Sequence, residues 1–320
     1  LGVDTVWSAE AWGMEAVASL GYLAAKTERI RLGSGIMQIS ARTPATTALT
    51  ALSLAQISGD RFSLGLGVSG PQVVEGMHGD AFAKPLSRLR EYIDIVRLGI
   101  SGERMVYDGD RYVLPRPGGE GKPLKAAIRP YPDLPIYLAT LGPRSLELTG
   151  EVADGWLGTS FVPEHAEVLL DPIRTGAERT GRTLDDIDVQ INAQLAVSDD
   201  VDGLIARARP GMAFTLGGMG SATTNFYNAA YTRAGFGDVC AEVQRRWVEG
   251  DKAGAAATVP EELVLSAYLI GTDDMVRDRV RAYAAAGVDC LRLAPQGRTA
   301  DEQIAHLEMA IDLIASATAA

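Results

Sequence analysis

A few side chains in this sequence combine reactive type with telling position. Glu10 is a carboxylate two residues from Trp12, where it can move a proton or orient a ligand; equally, it is an acid favoured at a helix start. Gln38 can hydrogen-bond the edge of a heterocycle, and Arg42 can neutralise an anion, although a solvated loop arginine is the more ordinary role. Residues 65–79 run GLGVSGPQVVEGMHG, in which glycines let backbone approach a flat ligand closely. Within it Glu75 and His78 lie three apart, so on a helical turn they share a face; as plainly, they belong to a capped loop with a surface histidine. Gly142-Pro143-Arg144-Ser145 opens a helix, whose free N–H groups and dipole suit a phosphate; an ordinary strand-to-helix turn has the same sequence.

The elements that must position these residues alternate. Strands are expected at residues 3–8, 30–38, 61–68, 135–141, 155–159, 188–197 and 288–293. Helices are expected at 13–27, 44–58, 86–100, 143–152, 163–180, 273–286 and 301–317. The strands are apolar and glycine-rich, as buried parallel strands are. The pattern predicts an α/β protein, a (β/α)8 TIM barrel, as one domain over 1–320. Two stretches break the rhythm: about 103–134, with a hairpin at 105–114, and about 199–270, read as a helical insertion. The opening Leu1-Gly2 reads as a helix end leading directly into a strand, so a first strand-helix unit is expected to be lacking from this chain. A doubly wound sheet is the rival, but no GxGxxG follows an early strand. A barrel places its site at the C-terminal strand ends, where the residues above fall.

Bulk properties narrow the partners. A formal net charge of −11 argues against a nucleic-acid or anionic-membrane partner, and no apolar run is long enough to span a bilayer. Two cysteines, Cys240 and Cys290, have no metal-ligand or disulfide spacing, and His78, His165 and His306 are scattered. These features lead to the expectation of a protein of the reducing cytoplasm with no zinc site, no histidine-rich metal centre and no disulfide framework.

The run RFSLGLGVSGPQVVEGMHG (61–79) followed by PIYLATLGPRSLELTGEVADGWLG (135–158) resembles the bacterial-luciferase-like flavin and deazaflavin oxidoreductases. It is most similar to their F420-dependent branch, which includes methylenetetrahydromethanopterin reductase and the F420-dependent glucose-6-phosphate dehydrogenase. The likeness continues more weakly through Asn225-Phe226-Tyr227 to the closing helix; Phe226, Tyr227 and Tyr231 are candidate pocket aromatics or, more safely, a core stripe. The resemblance implies F420 as cofactor, with FMN the alternative, and hydride transfer to or from a small organic substrate. It also implies a non-prolyl cis bond at Gly67–Val68, with Val68 and Ser69 beneath the cofactor ring, and backbone of Ala139, Thr140, Leu141 and Gly142 holding its tail. Glu10 becomes the first candidate for proton transfer, with Glu75 and His78 behind it, and a homodimer is expected. Two departures matter. Ala9-Glu10 replaces the Asp-His pair of the sugar-phosphate dehydrogenases, which argues against glucose 6-phosphate, and Met77 stands where relatives carry tryptophan. A luciferase-like FMN monooxygenase and a non-catalytic flavin- or deazaflavin-binding protein are the alternative functions.

Overall fold

The computed structural model describes residues 1–221 and 223–318. The chain divides into two compact units. The first comprises residues 2–140 and 152–156, and the second residues 141–151 and the chain from Leu157 on.

In the first unit the parallel strands are β1 (Thr5–Ser8), β2 (Arg31–Ser34), β3 (Met37–Gln38), β4 (Phe62–Gly67), β7 (Ile136–Ala139) and the start of β8 (Gly155–Gly158). Between β4 and β7 a short antiparallel hairpin, β5 (Tyr107–Asp108) with β6 (Val113–Leu114), forms inside the expected 103–134 insertion. β1 pairs with β2, β2 and β3 with β4, β4 with β7, and β7 with β8, all parallel. Every residue of β4 is buried, as its unbroken apolar and small composition requires.

Local chemistry sets the helices. α1 (Ala16–Lys26) starts where the Glu15 carboxylate accepts the Ala18 N–H. α2 (Pro44–Ser58) begins with proline behind a Thr43 cap and stops at Gly59, which takes a left-handed φ of 67°. α3 (Pro71–Gly76) and α4 (Pro85–Ile100) also open on proline. Trp7 and Gly33 face each other across β1 and β2, and a Cβ on Gly33 would lie 2.3 Å from the indole. The same indole packs edge-on against Tyr137, 5.2 Å between centroids.

The second unit carries α5 (Pro143–Val152), the end of β8, α6 (Glu167–Arg179), β9 (Asp188–Ala193) and β10 (Leu195–Val197). It continues with α7 (Val201–Gly217), α8 (Phe226–Tyr231), α9 (Gly237–Val248), α10 (Lys252–Thr258) and α11 (Glu261–Ala267). β11 (Leu269–Gly271), α12 (Asp273–Ala285), β12 (Cys290–Leu293) and α13 (Ala300–Thr318) close it. β9 pairs with β12, and β10 with β11, in parallel. The expected, mostly helical insertion over 199–270 ends in a strand, Leu269–Gly271, rather than in a helix. Leu269, Ile270 and Gly271 are all buried, and β10 supplies the ladder that a helix end would have left without partners.

The helices of this stretch bury their own core, including Met212, Leu216, Tyr231, Cys240, Val243, Leu263 and Val264. α5 and α6 meet backbone to backbone. A Cβ on Gly150 would stand 1.9 Å from the Ile173 carbonyl oxygen, and one on Gly176 would stand 1.8 Å from that of Glu147. No helix among the described residues is long and apolar enough to cross a membrane.

Candidate active site

In the first unit the strand ends gather Glu10, Gln38 and Arg42. The Glu10 Oε1 accepts the Gln38 backbone N–H at 2.9 Å and the Arg42 guanidinium at 2.6 Å. Arg42 also reaches Glu15 at 2.5 Å, and the Gln38 side-chain amide donates to the Glu10 carbonyl at 3.1 Å. Glu10 and Arg42 are largely buried, with side-chain exposures of 8% and 15%. Burial alone would lower the Arg42 pKa, but its bonds and charge attraction to Glu10 and Glu15 raise it instead. Arg42 is thus the anchor of a buried carboxylate, where the sequence made a solvated loop arginine the ordinary reading. Gln38 is buried, and its Oε1 has no hydrogen-bond partner.

The cis peptide expected at Gly67–Val68 lies instead at Gly35–Ile36, in the break between β2 and β3. The reason is visible in the ladder. Gly67 is a regular residue of β4, in register with Gln38 and Ala139, and its carbonyl accepts the Ile39 N–H. β2 and β3, by contrast, are separated by Gly35 and Ile36, where the ladder is already interrupted. The Ile36 side chain lies over Gly67, about where a Cβ would project. After β4 the chain turns at Val68 and Ser69, the latter at φ 60°. The Ser34 hydroxyl locks β2 to β4, donating to the Gly65 carbonyl and accepting the Gly65 N–H.

Glu75 and His78 do not share a helical face, because α3 ends at Gly76. Glu75 is exposed and accepts the Phe82 N–H at 3.2 Å, a loop-capping role. The His78 Nε2 is shielded and has no hydrogen-bond partner. Trp12, beside Glu10, is 66% exposed. Ala139 ends β7, and the Thr140 carbonyl accepts the buried Trp156 indole N–H at 3.0 Å, which pins the strand exit. A groove of about 550 Å³ in this unit lies elsewhere, on α4, lined by Asp94, Arg97 and Tyr107.

In the second unit, Leu141 and Gly142 lead into α5. The Gly142 carbonyl accepts the N–H groups of Ser145 and Leu146 as well as the Ser145 hydroxyl. The Leu141 carbonyl accepts the Arg233 guanidinium at 2.6 Å, while the Arg233 Nε is buried without a partner. Burial lowers the Arg233 pKa. Tyr231 belongs to the helical core, as the safer sequence reading had it, and burial raises its pKa well above normal. Arg233 and Arg292 escaped the sequence reading; single arginines within apolar stretches give no signal until their burial is seen. Among the described residues no group of three or more His, Cys, Asp or Glu could hold a metal.

Comparisons with known proteins identify the family and the fold. The luciferase-like monooxygenase family model matches residues 1–290. The chain belongs to that family. A protein of Mycobacterium tuberculosis, provisionally named a coenzyme F420-dependent oxidoreductase, is 42% identical over 295 residues, covering 90% of this chain and 85% of its own. The 5,10-methylenetetrahydromethanopterin reductase of Archaeoglobus fulgidus is 30% identical over 288 residues, with coverage of 90% and 83%. Among solved structures, the coenzyme F420-dependent tetrahydromethanopterin reductase of Methanopyrus kandleri superposes with a TM-score of 0.76 at 24% identity, covering 95% of this chain and 89% of that one. An F420-dependent secondary alcohol dehydrogenase in complex with an F420–acetone adduct gives a TM-score of 0.75 at 16% identity, with coverage of 98% and 91%. These superpositions show the fold, the TIM-barrel-like α/β architecture that the strand and helix rhythm predicts.

Proposed function

We propose that this luciferase-like protein is an F420-dependent oxidoreductase that transfers a hydride between the deazaflavin and a small organic substrate. The observation that carries the reading is the buried Gln38 at a strand end, whose Oε1 lacks a donor, beside Gly67, over which the Ile36 side chain lies. The idle carbonyl suits an N–H on the edge of a flat heterocycle. The F420-dependent relative at 42% identity supports the same cofactor.

When bound, the cofactor supplies the hydride chemistry. Gln38, Gly67, Val68 and Ser69 would support its ring. Backbone of Ala139, Thr140, Leu141 and Gly142 would hold its tail, with the exit of β7 fixed by Trp156. Arg42 and the Gln38 N–H occupy Glu10 Oε1, so any proton transfer by this carboxylate falls to Oε2. Glu75 and His78 remain behind it, the former drawn to a loop N–H. We also propose a homodimer using the outer face of α1 and α2, where Tyr22, Leu49 and Ile57 are exposed, and a cytoplasmic location in keeping with two free cysteines. Sedimentation of the chain and of Ile57→Glu tests the dimer; an unchanged monomeric profile in both removes it.

The deciding experiment is a fluorescence titration of the purified chain with F420 and, separately, with FMN. Tight F420 binding with clearly weaker FMN binding is expected. Preference for FMN, with oxygen consumption in its reduced form, would move the protein to the monooxygenases. Tight F420 binding without turnover across a broad substrate panel would make it a binding protein.

A further inference from the structure

Arg292 is the third residue of β12 and stands in register with Asn192 of β9. Residues paired across neighbouring parallel strands point to the same face of a sheet. Guanidinium and amide therefore share one face. The Arg292 Nη2 donates to the Gly158 carbonyl, at the end of β8, at 3.0 Å. In the strand order β9 lies between β8 and β12, so the Arg292 side chain lies across β9. Its Nε is shielded from solvent and has no hydrogen-bond partner. Among the described residues no carboxylate is paired with it; burial lowers its pKa to about 10, offset only in part by the Cys290 thiol. The group is still fully charged at neutral pH. A shielded cation that meets one backbone carbonyl and no counter-charge is costly to keep, and the missing complement is an anion. Asn192, exposed on the same face, brings an amide donor.

We propose that Arg292 and Asn192 form a recognition site for an anionic group, a carboxylate or a phosphate, carried by the substrate. The planar guanidinium offers Nε and Nη as parallel donors to two oxygens of either group, and the Asn192 amide offers a further N–H. The site stands within one unit on strands β8, β9 and β12. Only the assignment of the anion to a substrate rests on the oxidoreductase reading.

The test uses the full chain titrated with inorganic phosphate and with acetate, read by calorimetry and by the thermal shift. The unmodified chain should bind one of the two anions, and Arg292→Gln should weaken that binding about tenfold or more, the scale of a charge-assisted hydrogen bond. Arg292→Lys keeps the charge without the fork and should fall between. Asn192→Leu alters an exposed position, so its fold is secure, and it should weaken binding roughly threefold. F420 affinity should stay within about twofold of the unmodified chain in all three variants. Absence of binding by the unmodified chain, or binding by Arg292→Gln and Asn192→Leu equal to that of the unmodified chain, overturns the site. A loss of F420 affinity in Arg292→Gln that matches its loss of anion binding gives the anion to the cofactor and overturns the substrate assignment. Arg292-dependent anion binding by a chain that ignores F420 supports the site while defeating the cofactor reading.

Discussion

The two units handle charge differently. In the first, cations near the strand ends are matched. Arg42 lies between Glu10 and Glu15, and Arg88 and Arg111 share Asp80. In the second, Arg233 and Arg292 donate to backbone carbonyls alone and meet no acid among the described residues. Matched charges act as scaffold, fixing a carboxylate and a loop before any ligand arrives. Unmatched ones are costly to the folded chain and become favourable only with a ligand of opposite charge.

Stability gives the largest contrast. Arg42→Ala strands a Glu10 that is 8% exposed, and should cost about 3–4 kcal/mol in denaturant unfolding. Arg233→Leu removes an unmatched charge and should cost under about 1 kcal/mol. Equal losses would dissolve the contrast between scaffold and waiting charge. Glu10→Gln comes next. It keeps an acceptor for Arg42 but loses the proton-transfer group, so turnover should drop about a hundredfold with F420 affinity nearly intact. Unchanged turnover would leave Glu10 as scaffold only. Arg233→Leu should also weaken F420 binding about tenfold if the Leu141–Gly142 backbone holds an anionic tail; unchanged affinity would detach Arg233 from that role.

The smallest effect concerns a matched pair in the second unit, which tests how far the contrast extends. The Arg279 guanidinium bonds Glu164 and holds its carboxyl below the usual range, against the effect of burial. The folded pKa being the lower one, this contribution is present above about pH 4.3, the unfolded value, and fades as pH falls through the folded value. Glu164 is half exposed, so the contribution is under about 1 kcal/mol. The Tm gap between the protein and Arg279→Met should narrow below about pH 4. A gap that stays constant down to about pH 3 would assign the effect of Arg279 to its bond with the Ser266 carbonyl.

Much of the fold was legible because it is local. Pro44 and Gly59 mark the ends of α2, and the run of apolar and small residues in β4 marks a strand buried on both faces. The site was legible as positions rather than relations. Glu10 and Gln38 stand out by type and place, but the ion pair that joins Glu10 to Arg42 spans 32 residues and appears only when β1 and β2 close. The cis bond was misplaced for a similar reason. Gly67 and Gly35 are both glycines at strand exits, and the ladder partners that distinguish them come from other strands. β11 was hidden because three apolar residues after a helix carry no period of their own. Arg292 looked like one polar residue in a short strand until its neighbours proved to hold no acid.

The α5–α6 crossing has a practical consequence for anyone who sets out to make this protein more heat-resistant. Replacing helical glycines by alanine is a common first step, because alanine narrows the unfolded ensemble. At Gly150 and Gly176 the added methyl group would collide with a carbonyl oxygen of the facing helix, so those two codons should stay invariant in any library that retains activity. Gly21 in α1 and Gly211 in α7 have open space where a Cβ would go, and each alanine there should add roughly 0.5–1 kcal/mol.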